Sequence, residues 1–200
     1  MRKTVLVRTV YLGYQQNLLF CMMAKTSIEC PLTSQTRVLR IAQNEECVLN
    51  LRGIVSDSHT IVLKIFVEAH ASLVICGRVR VGNSAVFTLE IVVVHEGDRS
   101  MSQIDVRAVV YDRARIASLC RLVILPTFGV DAAQYTRVLL VGDGASGHAE
   151  PIIEVEAHDV VCKHGSAVAP IPREEMLFLQ SRGIHFVRAR ELCIEAFLAQ

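Results

Sequence analysis

Two short stretches carry residue types at spacings that could do chemistry. In Cys162-Lys163-His164-Gly165 a thiol and an imidazole stand two residues apart, which in a strand puts both on one face. A thiolate and a neutral imidazole are suitable donors for iron or an Fe–S fragment, and a glycine beside them lets the backbone turn or a partner approach closely. In Val138-Leu-Leu-Val-Gly-Asp-Gly-Ala-Ser-Gly147 an apolar run enters a G-x-G-x-x-G pattern through Gly142, Gly144 and Gly147, the form of a dinucleotide-binding turn. That turn must open a helix. Here Pro151 blocks a regular helix in its first turns and another β-branched run follows, so the glycines are expected to turn a corner between strands.

The segments around both stretches are β-like. Arg37–Ile41, Thr60–Val67, Ser72–Val81, Ser84–Val94, Gln103–Tyr111, Arg115–Leu125, Arg137–Val141 and Pro151–Val155 are rich in β-branched residues and separated by small polar turns. No helical pattern lies between them. An all-β body is expected over residues 37–170, and sandwich, barrel and parallel β-helix all fit a spacing too uneven for a strict repeat.

After Pro170 the pattern becomes helical. Pro172 opens a run with Glu174 and Glu175 in its first turn, Arg182 at its end and Gly183 just beyond, each favoured there by capping and the helix dipole. A second helix is expected from Phe186 to Ala199, with Ala189, Leu192, Cys193, Ala196 and Phe197 on one face. Residues 171–200 thus form a short helical hairpin, and residues 1–36 a separate N-terminal segment.

Composition narrows the function classes. The 21 basic and 20 acidic side chains nearly cancel, which gives no electrostatic reason to expect nucleic acid or an anionic membrane as the main partner. The N-terminus superficially resembles a signal peptide, but Arg8, Gln15, Gln16 and Asn17 interrupt its apolar run. No stretch reaches the roughly 18 apolar residues of a membrane span, and a cytoplasmic protein is expected. The seven cysteines are scattered, never as C-x-x-C, and read as reduced packing residues. No orienting acid or oxyanion hole is identifiable beside Cys162 and His164, and no phosphate-binding G-x-x-x-x-G-K-[ST] is present, so no enzyme is expected.

From Leu139 to Phe197 the chain resembles the SufB/SufD family of iron–sulfur cluster assembly scaffolds. The resemblance rests on Leu139–Asp143, Pro151–Val155, Asp159-Val-Val-Cys-Lys-His-Gly165, Glu174-Glu-Met-Leu-Phe-Leu-Gln-Ser-Arg-Gly-Ile184 and Ala189–Phe197. Cys-x-His-Gly followed by Ser-Arg-Gly-Ile is its most specific part. The Cys162-Lys-His164-Gly165 form is similar to SufD; SufB proteins usually carry an acidic residue where His164 stands and a cysteine near Thr136-Arg137-Val138.

The resemblance implies a right-handed parallel β-helix followed by short helices, and a non-catalytic scaffold that docks a SufC-like ABC-type ATPase. It further implies a dimer with a SufB-like scaffold or with a second copy, and transient ligation of iron or an Fe–S cluster by His164 and Cys162 at the subunit interface. Met176, Phe178, Arg182, Arg188 and Phe197 are the expected ATPase-docking residues; Met176, Leu177, Phe178 and Leu179 are also expected to cover the open end of the β-helix. Family members carry a long region before the β-helix, where this chain has about 35 residues. The alternative function is a structural adaptor, or a homodimeric SufD-like protein, without ligation.

Overall fold

The computed structural model describes residues 25–199; Cys21 and the signal-peptide-like stretch lie outside the described residues. Eleven strands follow one another among these residues: β1 (Lys25–Glu29), β2 (Gln35–Ile41), β3 (Glu46–Val55), β4 (His59–Val67), β5 (Ser72–Val81), β6 (Val86–His95), β7 (Met101–Tyr111), β8 (Arg115–Ile124), β9 (Asp131–Val141), β10 (Ser146–Val155) and β11 (Val161–Pro170). The helices α1 (Arg173–Ser181) and α2 (Phe186–Ala199) close the chain. Odd strands form one sheet in the order β1-β3-β5-β7-β9-β11, even strands a second in the order β10-β8-β6-β4-β2, and every pairing is parallel. Each coil is therefore one strand from each sheet, stacked on the coil before it: the parallel β-helix among the all-β options.

Alternation makes the coil. In β5 Leu73, Ile75, Gly77, Val79 and Val81 are buried while the residues alternating with them are half-exposed, the period of a half-buried strand. Stacking then places like on like: Leu49, Ile75 and Ile104 all lie in the interior of successive coils of one sheet. Ser72 lies over Glu46, Met101 over Ser72 and Asp131 over Met101, so the coil lengthens along the chain, which is why no strict repeat is visible.

The corners fall in two columns, and most turn on a left-handed residue. Between even and odd strands these are Asn44, His70, Arg99, Gly129 and Asp159; between odd and even strands they are Asn83, Asp112 and Gly142. Successive corners are hydrogen-bonded, His70 N–H to Asp98 O and Arg99 N–H to Phe128 O among them. The glycine-rich stretch is one such corner: Gly142 has φ 119°, Gly144 sits in the turn, and the chain leaves into β10 with no helix. Gly147 is not part of the turn. It lies in β10 facing the interior, where a Cβ would approach Val138 Cγ1 to 2.9 Å. Nor does Gly165 turn the chain; it lies within β11 against Tyr135.

Helix α1 ends as its sequence predicts. Ile184 N–H reaches Leu179 O and Gly183 N–H reaches Gln180 O, with Gly183 at φ 80°, a Schellman C-cap. Pro172 is the N-cap residue. The hairpin does not cover the end of the solenoid. It folds back onto the outer face of the odd-strand sheet, where Ile194 joins Val109, Leu139 and Val141 in a second apolar cluster flanked by Ile171, Phe197 and Leu198. Arg107 Nη1 donates to Phe197 O at 2.8 Å and Arg78 Nε to Leu198 O at 3.0 Å, fixing the last turn of α2 by charge-assisted bonds to its unpaired carbonyls. The buried face of α2 accordingly centres on Ala189 and Ile194, while Ala196 is exposed.

Candidate functional site

Because the hairpin lies to the side, no described strand or helix stacks on the last coil. Among the described residues no strand pairs with the outer edge of β10 or of β11, and neither strand has a buried residue. Val161 N–H bonds Val130 O and Ser146 N–H bonds Ala114 O. Backbone groups alternate sides along a strand, so those of Cys162, His164, Ser166 and Val168, and of Gly147, Ala149 and Ile153, point to the free edges. Both strand prolines obey the same parity: Pro151 and Pro170 stand where the missing N–H would face away from the paired neighbour.

Cys162 and His164 lie on the inner face of this last coil. Cys162 is level with Ala132, His164 with Gln134, Ser166 with Thr136 and Val168 with Val138, all four β9 partners being buried. The spacing of two does bring the thiol and imidazole to one face. Their environments differ: Cys162 is half-buried against the core cluster, whereas His164 is exposed. Burial, with a smaller contribution from Asp131, pushes the Cys162 thiol up, so the isolated chain holds a thiol there at neutral pH rather than the thiolate a metal prefers.

The floor beneath His164 is polar. Gln134 is buried and donates from Nε2 to Ile152 O at 2.9 Å, while its Oε1 and the Ser118 hydroxyl are buried without a partner among the described residues. Sequence reading missed this floor, since its strand was taken to begin at Arg137 and Gln134 and Thr136 fell outside it. Only the parity of buried Val138 in the same strand could have placed them inside.

No group of three or more His, Cys, Asp or Glu side chains able to hold a metal occurs among the described residues. Cys162 and His164 are two potential donors on the inner face of β11. His148 is exposed beside Glu150, and His158 and Asp159 lie at the following corner. Burial raises the thiols of Cys30, Cys47, Cys120 and Cys193, Cys47 to about 11 and Cys120 to about 12, in keeping with packing roles.

The expected docking residues divide. Met176 is buried and Phe197 is packed beside the second cluster under Arg107, which removes both from the exposed surface. Phe178 is 59 % exposed with Arg182 over its ring, and Arg188 is exposed and paired with Glu191 and Glu195. Leu177, expected to cover the end of the β-helix, is instead exposed, and Phe186 and Val187 add apolar surface that sequence reading did not single out. A cleft of about 530 Å³ between the hairpin and the Gly142 corner is lined by Val141, Ile171, Met176, Leu177 and Phe186 among others. No described helix is long and apolar enough to cross a membrane.

The described residues thus form an all-parallel solenoid whose last coil carries Cys162 and the exposed His164 on the inner face of β11, with an apolar hairpin at its side. A family model described as SUF system FeS cluster assembly, SufBD core domain, matches residues 32–197. The chain belongs to this family. Among curated proteins it is 40 % identical over 62 residues to the iron-sulfur cluster assembly protein SufD of Escherichia coli, covering 31 % of this chain and 15 % of that protein. It is 36 % identical over 69 residues to SufD of Bacillus subtilis, covering 34 % and 16 %. With protein ABCI7, chloroplastic, of Arabidopsis thaliana, identity is 34 % over 67 residues, covering 34 % and 14 %. The matched segment thus spans about one-seventh of these relatives' length.

Proposed function

We propose that this protein is a non-catalytic, SufD-like scaffold subunit whose last coil pairs with a second scaffold chain, SufB-like or a second copy. In this reading His164, with Cys162 beside it, contributes donors at that interface to an iron or Fe–S cargo in transit. The single observation that carries it is the pair of unpaired parallel edges, β10 and β11, at the end of the solenoid where His164 faces inward. An unpaired strand edge is a template for another chain, and two donors are an incomplete ligand set.

The hairpin supplies the second contact. Leu177, Phe178, Phe186 and Val187 are large, apolar and exposed, and their patch supports docking of a SufC-like ATPase. Co-expression with SufB-like and SufC-like partners tests both contacts together. The double variant Phe178→Glu/Phe186→Glu is expected to lose the ATPase while the two scaffolds still co-purify. Recovery of the ATPase undiminished would remove the hairpin from the account.

A specific observation favours a second reading. Burial keeps Cys162 a protonated thiol in the isolated chain, as in an adaptor that dimerises through the same edge but ligates nothing. Its sign is partner binding that survives Cys162→Ser/His164→Ala, with no iron held by the unaltered complex.

A further inference from the structure

The terminal hairpin is tied to the solenoid mainly at its two ends. Among its described residues only Met176, Ala189 and Ile194 are buried, and no described backbone hydrogen bond runs from it to a strand. Beneath it Val109, Leu139 and Val141 meet Ile194 in a small apolar cluster separate from the main core. The covalent joint is short: Ile171 and Pro172 separate β11 from α1, and Pro170 and Pro172 have no N–H to donate.

Two arginines hold the far end. Arg107 Nη1 donates to Phe197 O, and its guanidinium stands 5.8 Å from the centre of the Phe197 ring; Arg78 Nε donates to Leu198 O. Both carbonyls belong to the last turn of α2, where the helix itself supplies no donor. Asp105 sets the two guanidinium groups in position. Its Oδ2 accepts from Arg78 at 2.6 Å and from Arg107 at 3.2 Å, and its backbone O accepts from Arg78 Nη1 at 3.0 Å. Arg78 stands on β5, and Asp105 and Arg107 on β7, so the grip belongs wholly to the solenoid and stays in place when the helix leaves.

We propose that the hairpin is a strap, hinged at Ile171 and Pro172, latched at Phe197 and Leu198 by Arg107 and Arg78, and released as a unit while the solenoid stays folded. Segments with few buried apolar contacts open ahead of the core. Once released, helices of 9 and 14 residues are marginal on their own in water, so their amides become exchangeable together. Release uncovers Val109, Leu139 and Val141 on the sheet. The exposed Leu177, Phe178 and Phe186 ride on the strap, so a protein bound to them is coupled to the solenoid through the joint and the latch. The device stands whether or not an ATPase docks on that patch.

The test is amide hydrogen exchange of the full chain, read by mass spectrometry in peptides of α1, α2, β5 and β7 at several urea concentrations below the unfolding transition. In the unaltered protein α1 and α2 should exchange together, about a hundredfold faster than β5 and β7, and with a shallower dependence on urea, since less surface is exposed. The double variant Arg78→Met/Arg107→Met should speed exchange in α1 and α2 by roughly tenfold or more, the loss of two charge-assisted bonds. Ile65→Val, a core change in β4 of the other sheet, should speed β4 and β6 and leave α1 and α2 as they were. The first comparison needs no variant, so it decides even where the double variant does not fold. Helices as protected as β5 and β7, or quickened equally by I65V, or unchanged by loss of both arginines, overturn the strap.

Discussion

Single side chains in this solenoid are set by which face of a strand they occupy. His95 is the clearest case. Fully buried, it is held between the Ser100 hydroxyl at Nδ1, 2.8 Å, and the Ser102 hydroxyl at Nε2, 2.9 Å. Desolvation lowers its pKa from 6.5 to about 4, so the folded protein keeps it neutral while the unfolded chain would take up a proton. The stability this represents is present above pH 6.5 and is lost as pH falls from 6.5 toward 4, a change of about 3 kcal/mol. Equilibrium urea unfolding over that range is expected to show the decline, and His95→Gln to flatten it. An equally steep decline in the variant would assign the effect to carboxylates instead. The same parity rule separates His164 from the other histidines: it alone stands on the inner face of the uncovered last coil, level with a buried polar residue.

Strands and corners were unequally legible in the sequence. Residues such as Ser72–Val81, where β-branched residues alternate cleanly, predict their strand to the residue. Strand β3 escaped because Asn50, Arg52 and Gly53 break its apolar run, although Leu49, Leu51 and Val55 keep the inward parity. Stacking on β5 supplies what the isolated segment lacks, and stacking is not written in a local pattern. Corners show the same limit: Gly142 was recognisable, whereas His70 and Arg99 adopt left-handed backbone that neither residue type advertises. The helices were read almost in full, yet their place beside the sheet rather than over its end depends on Arg78 and Arg107 capturing the α2 carbonyls across the fold. One corner glycine is set by close approach rather than by φ. A Cβ at Gly97 would lie 2.0 Å from Ala69 N in the corner below. Gly97→Ala is expected to destabilise by roughly 3 kcal/mol, since backbone must separate from backbone, measurable as a lowered urea midpoint. A midpoint unchanged from the parent would mean that successive corners are not packed as described.

Taken whole, the described residues form a stack of coils whose end strands, β1 and β2 at one end and β10 and β11 at the other, each have an edge unpaired by any described strand. Parallel sheets normally hide both faces and an unpaired edge invites another chain; at the C-terminal end of the stack β10 and β11 pair with no further described strand. The family resemblance was carried by this end of the chain and the hairpin, from Leu139 to Phe197, while the earlier coils were recognisable only as a pattern. The proposed pairing through the β11 edge has a direct consequence. Ser166 directs its N–H to that edge, so Ser166→Pro removes an edge donor without breaking a bond to β9. Stability is expected to change by no more than about 1 kcal/mol, while the assembled species in size-exclusion chromatography falls to the single chain. An assembly that persists in S166P would place the interface elsewhere.

The most direct test of the account is anaerobic reconstitution of the complex with SufB-like and SufC-like partners, followed by bound iron and visible absorbance. The wild-type complex should acquire iron and Fe–S absorbance, and the His164→Ala complex, assembled in equal yield, should lose most of both. Full iron and absorbance in H164A, in a complex confirmed to contain this chain, would contradict a donor role for His164 at the open coil.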